Sequence, residues 1–160
     1  MRMRENLIEL YTVFYNNQPL LKLLYYPSTS YYDDPLTKPN ITDQNIKKDL
    51  VKRSIVVDDL TVERNKGRVL VYPDGRFNAS HNYGLADQIV NIDIFVPIKM
   101  DEVDFRLAWI CDHVNSLLHN ERITGVGKIV FRGGRPIIKA VKDYIGYQLS
   151  YEFGSAKKWA

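Results

Sequence analysis

The chain has 160 residues, 45% apolar and 12% aromatic, enough to build one hydrophobic core in a single domain over 1–160. Charged residues make up 26%, and seven prolines and nine glycines are scattered through the chain, which excludes collagen-like and disordered compositions. A net charge of +3 permits contact with nucleic acid or an acidic partner without demanding either.

The single cysteine, Cys111, excludes an internal disulfide and a cysteine-rich metal site. It sits in an apolar run as a small core residue, which suits a reducing compartment. The basic start Met1-Arg-Met-Arg is followed by Glu5, Asn6, Glu9 and Asn16, the wrong pattern for a signal peptide. No segment reaches the roughly 20 apolar residues of a membrane span. The expectation is a soluble protein made in the cytoplasm, with no membrane partner.

From Glu5 to Tyr15, Leu7, Ile8, Leu10, Tyr11, Phe14 and Tyr15 recur at helical spacing, and a second short apolar helix is predicted from Leu20 to Tyr26, ending before Pro27. Residues 27–43 hold Pro27, Pro35 and Pro39 among Ser, Thr, Asp and Asn, a long tyrosine- and proline-rich loop. Tyr25, Tyr26, Tyr31 and Tyr32 either pin that loop to the domain or present a protein contact. Thr42 or Asp43 caps a helix over Gln44 to Arg53; Ser54 to Val57 and Leu60 to Val62 then have β-branched strand character. Arg68 to Tyr72 is a stronger strand, ended by the turn Pro73-Asp74-Gly75, and Arg76 to Gly84 reads as a polar loop.

In the second half, Gln88, Val90, Ile92, Ile94 and Val96 share one strand face, with Asn91 and Asp93 on the other and Pro97 as the stop. Asp101 caps a helix running to His119, with Val103, Leu107, Ile110, Val114, Leu117 and Leu118 along one side. Phe105 and Trp109 form a second apolar pair beside that stripe, read either as burial on both sides of the helix or as a subunit contact. Strands follow over Val126 to Phe131 and Tyr144 to Phe153, joined at Gly133-Gly134-Arg135-Pro136 by a hairpin-like turn exposing Arg132 and Arg135. The expected fold is α+β: a mostly antiparallel sheet of four to five strands packed by helices on one face.

Signs of chemistry are weak. His81, His113 and His119 lack metal-ligand spacing, and the Asp112-His113 pair with Ser116 lacks a nucleophile elbow. Gly125-Val-Gly127 and Gly133-Gly134 form no phosphate-binding motif. Asp74, Asp93 and Lys99, or Glu63 and Lys66, match a metal-dependent nuclease only by nonspecific spacing. No enzyme activity, cofactor or metal is expected.

The strand Gln88-Ile-Val-Asn-Ile-Asp-Ile-Phe-Val-Pro97, the helix around Phe105-Arg-Leu-Ala-Trp109 and the strand Tyr144-Ile-Gly-Tyr-Gln-Leu-Ser-Tyr-Glu-Phe153 together resemble the tail terminator proteins of long-tailed bacteriophages, over residues 84–153. The resemblance implies a structural virion protein of the phage neck: a ring, commonly of six subunits, that caps the tail tube and docks the head connector. Its implied partners are itself, the tail tube protein and the head-closure or connector protein, with phage DNA passing through the lumen unread. Tyr31, Tyr32, Phe105, Trp109, Arg132, Arg135 and Trp159 are the candidate interface residues. A head-closure or head-tail adaptor role, a small nucleic-acid-binding module and a minor hydrolase or nuclease remain as alternatives.

Overall fold

The computed structural model describes residues 3–55, 57–123, 125–138 and 141–157. The first helix, α1 (Met3–Asn16), buries Leu10, Tyr11 and Phe14. Asn17 separates it from α2 (Gln18–Tyr25), where its side-chain oxygen accepts the Leu20 amide at 2.9 Å and Pro19 occupies the first turn, where a missing N–H costs nothing. Leu20, Leu21, Leu23 and Leu24 are all fully buried, so this short helix is held by packing rather than by its own propensity.

Residues 26–43 contain one 3-10 turn, Pro35–Thr37, capped by Asp34. Side-chain hydrogen bonds hold the segment in place. Tyr26 Oη donates to the Pro39 carbonyl at 2.9 Å, and the Gln18 side-chain amide exchanges two 2.8 Å bonds with the backbone of Ile41.

Asp43 caps α3 (Gln44–Leu50), which is shorter than its sequence suggests because Val51–Lys52 leaves it as a two-residue strand, β1. The β-branched stretch that follows corrects the sequence reading: its described residues form no strand, and Val62–Arg64 is a 3-10 turn. Val57 and Leu60 instead bury themselves by lying across the sheet against Leu70, Phe95 and Tyr144. Apolar side chains can leave water by covering a sheet face as well as by joining the ladder.

The strand β2 (Arg68–Asn78) runs through Pro73-Asp74-Gly75 instead of stopping there. A register shift between Pro73 and Arg76 absorbs the extra residues as a bulge, and Gln88 Nε2 donates to the Asp74 carbonyl at 3.2 Å. Proline is tolerated because β1 covers only Val69 and Leu70, leaving the rest of β2 as a sheet margin. The polar stretch up to Gly84 is therefore partly strand, and only its tip is a loop.

The central strand, β3 (Leu85–Pro97), presents Val90, Ile92, Ile94 and Val96 to the core, each fully buried. The expected single helix after it is two: α4 (Ile98–Asp104) and α5 (Arg106–Leu118), broken at Phe105, whose φ of 52° is left-handed. Asp101 does cap a helix, but across the break, its Oδ1 accepting the Leu107 amide of α5 at 2.9 Å.

The last two strands are β4 (Val126–Ile137) and β5 (Tyr144–Ala156). Contrary to the sequence reading, Gly133-Gly134-Arg135-Pro136 is no turn; it lies inside β4, paired with Tyr147 to Ser150. Gly133 has φ +150° beside a register shift from Phe131, and a Cβ on Gly134 would come within 2.8 Å of the Tyr147 ring and 3.0 Å of Leu149. These glycines serve a bend and a close approach within a strand.

The five strands stand in the order β1-β2-β3-β5-β4, with β1 parallel to β2 and every other pair antiparallel. The main core lies between one face of this sheet and α1, α2 and α5. The other face carries the small cluster around Phe95 and Tyr144 and, beyond it, polar side chains.

Two fully buried arginines hold the helices to this frame. Arg106 pairs with Asp104 at 2.9 Å and donates to the carbonyls of Leu23 (2.7 Å) and Tyr26 (2.6 Å) and to Ser28 Oγ (2.8 Å), so its guanidinium satisfies the open C-terminal carbonyls of α2. Arg68 does the same for α3, donating to the Asp49 carbonyl at 2.9 Å while pairing with the carboxylates of Asp49 and Asp59.

Removing one partner of a buried pair strands the other charge, so Arg106→Leu is expected to destabilise the fold by about 3–5 kcal/mol in denaturant titration, and a paired Asp104→Asn change to recover part of it. The hydrogen bonds from Arg68 hold the Asp59 carboxyl down at about 2 against its ordinary 3.8. A lowered carboxyl stabilises the fold fully above its ordinary value and loses that contribution as the pH falls through the folded one. Stability should fall between pH 3.8 and about 2, and Asp59→Asn should lower stability at pH 7 while making that acid loss shallower.

Candidate assembly surfaces

The residues weighed for chemistry are occupied as structural links. His113 Nε2 lies 2.8 Å from Asn17 Oδ1, joining α5 to the cap of α2, and burial holds its pKa below the ordinary value. Ser116 Oγ donates to the His113 carbonyl at 2.6 Å rather than meeting the ring.

On the open sheet face, Tyr72 Oη donates to Asp93 Oδ2 at 2.7 Å, and Gln148 Nε2 donates to Asp93 Oδ1 at 3.0 Å and to Tyr72 Oη at 2.9 Å. Asn91 links Asp74 (2.9 Å) to Ser150 (2.8 Å). Burial raises the Asp93 carboxyl above its usual range, against the lowering effect of these donors, and pushes Tyr72 up to about 12. Asp74 and Asp93 thus share a face, each engaged by neighbouring donors. Among the described residues no three His, Cys, Asp or Glu side chains are grouped to hold a metal.

The sequence candidates gather in three places beside the outer strand and the helix break. Phe105 is 77% exposed and edges an apolar groove of about 630 Å³ between α5 and β4, lined also by Leu107, Cys111, Phe131, Tyr147 and Leu149, with Asp101 and Asp112 bringing negative charge. Burial, then those two carboxylates, push the Cys111 thiol up to about 12.

Trp109 does not pair with Phe105 as an exposed apolar patch. It is half-buried against the core, with the Arg106 guanidinium 5.9 Å from its ring centre. It shares a hollow of about 370 Å³ with Tyr31, Asp33, Asp34 and Asp104. The Tyr31 and Tyr32 rings meet edge to face at 5.5 Å and are 72% and 91% exposed.

Arg132 and Arg135 lie on β4 rather than in a turn. Arg132 pairs with Glu152 at 3.0 Å and Arg135 Nε donates to Gln148 Oε1 at 3.2 Å. With Gly133 and Gly134 they border a hollow of about 320 Å³ on the open face. Gly134 lines both this hollow and the apolar groove, so β4 has a basic flank and an apolar flank back to back. Trp159 lies outside the described residues.

Sequence reasoning missed the hairpin of β2 and β3, where Phe77, near the end of β2, is 59% exposed and Tyr83, in the tip, is 99% exposed. Two aromatics in an otherwise polar stretch were the available signal.

A family model, YomW, matches residues 17–153, from the start of α2 into the last strand and across every candidate above except Trp159. The chain belongs to the YomW family. That name is of the kind given to Bacillus phage genes, which makes this a phage-associated protein. No curated protein matches the chain.

A left-handed backbone costs a bulky L-residue about 1–2 kcal/mol, and a phenylalanine so exposed recovers little of this by packing. Phe105→Gly should therefore raise stability by about 1 kcal/mol, measured as an increased denaturation midpoint. If Phe105 serves association, the same variant should self-associate less.

Proposed function

We propose that this phage-associated chain is a structural assembly protein of the virion neck, forming a ring that caps the tail tube and joins it to the head connector. The observation that carries the reading is the pair of uncovered sheet margins. Among the described residues β4 ends one side of the sheet, beside a groove edged by the exposed rings of Phe105 and Phe131. On the other side β1 covers only two residues of β2, leaving a hairpin with exposed Phe77 and Tyr83. Contacts between unlike surfaces repeat head to tail, and they close into a ring when the rotation allows it.

The chemistry of the surface agrees with this role. The polar side chains of the open sheet face bond to one another, and the arginines of β4 are paired with Glu152 and Gln148, so that face offers no dense basic track for phosphates. DNA would pass such a ring without being read. The partners on this reading are further copies of the chain, the tail tube protein and the head-closure or connector protein.

Light scattering of the purified protein, alone and after incubation with tail tubes, followed by electron microscopy, tests the proposal. A closed ring, alone or on tube ends, is the expected result. A strict monomer that ignores tubes and binds DNA with steep salt dependence would instead make it a nucleic-acid-binding module.

A further inference from the structure

We propose that the hairpin between β2 and β3 of one copy docks into the groove between α5 and β4 of the next. This rests on the ring reading and names its two contacting halves. The groove combines apolar walls with the carboxylates of Asp101 and Asp112 and is lined by no basic residue among the described ones. The hairpin offers the complement. Its exposed rings, Phe77 and Tyr83, stand beside two cations fixed at its base: Arg76 Nη2 donates to the Ala156 carbonyl at 2.8 Å, and Lys157 Nζ to Asn78 Oδ1 at 2.9 Å. The Lys157 amide also bonds to the Gly84 carbonyl at 3.0 Å, which keeps that lysine next to the aromatic tip. Aromatic anchors in an apolar hollow, flanked by opposite charges, are the usual composition of an interface centre and its rim.

Topology prevents a chain from filling its own groove. β3 and β5 stand between the hairpin's outer strand and β4, and the hairpin tip lies at the Leu85–Ala156 end of the sheet. The groove opens beside Gly134, Tyr147 and Leu149, further along the opposite margin. The two patches differ, so each copy gives its hairpin to one neighbour and receives another's. Phe105, held in a left-handed conformation at the mouth of the groove, is placed to close over the incoming ring.

Cys111 is the only cysteine and lines the groove, which gives a direct test. A Tyr83→Cys variant of the full chain, treated with a short thiol-to-thiol crosslinker, should yield a ladder of covalent oligomers on a denaturing gel, while Tyr83→Cys/Cys111→Ser yields none. Asp112→Arg and Arg76→Asp should each weaken self-association on the order of tenfold, and the double swap should restore it. Crosslinking that stops at two chains would mean a reciprocal dimer and overturn the head-to-tail contact. A wild-type ring with no crosslinking and no response to the swaps would overturn the hairpin contact and leave the ring reading standing. A wild-type chain that stays monomeric alone and on tubes would overturn both.

Discussion

The guanidinium of Arg106 is where the two halves of this fold are joined. It reaches from the first turn of α5 to the last carbonyls of α2, to Ser28 at the start of the long loop, and to Asp104 across the helix break. A buried arginine is tolerable only when its donors are met by well-placed acceptors, and here they come from two segments far apart in the chain, 23–28 and Asp104. The pair also accounts for the break itself. Asp104 and Arg106 both point inward, and two residues separated by one position cannot face the same way on a continuous helix. The left-handed turn at Phe105 resolves the conflict and throws the Phe105 ring outward.

Arg68 repeats the device at the other end of the core, joining the end of α3 to the first sheet position of β2 through Asp49 and Asp59. Both short helices, α2 and α3, lack glycine stops, and their C-terminal carbonyls are met by arginines brought from elsewhere. The layer of helices on the sheet therefore depends on long-range charge-assisted bonds as much as on the leucines of α2.

The same organisation leaves the surface unevenly finished. The open sheet face is closed off by mutual hydrogen bonds among Tyr72, Asn91, Asp93, Gln148 and Ser150, so it needs no partner to satisfy its polar groups. The two margins are unlike that. Phe77, Tyr83, Phe105 and Phe131 stay in water, and one of them sits on strained backbone. This phage-associated chain thus meets its polar side chains internally on one face and keeps apolar groups at its edges.

The sequence by itself determined the parts set by local periodicity. The 3.6-residue repeat of α1 and the alternation of β3 and β5 are visible because each records one buried face in consecutive residues. The α+β class and the mostly antiparallel sheet follow from such patterns, whereas the exposure of Tyr31, Tyr32 and Phe105, left open by the sequence, was decided by the fold. The tertiary structure alone decided the features whose cause lies far along the chain. Pro73 and Gly133-Gly134 read as turns because those residues punctuate loops, yet each sits in a strand whose partner accepts a bulge or needs a close approach. Val57 and Leu60 read as strand from their neighbourhood, but the free space for them was a sheet face. Nothing local in the sequence marks Arg106 as buried or reveals that Asp104, Leu23, Tyr26 and Ser28 surround it. Buried charges and strand registers are fixed by partners, and partners are a property of the folded chain.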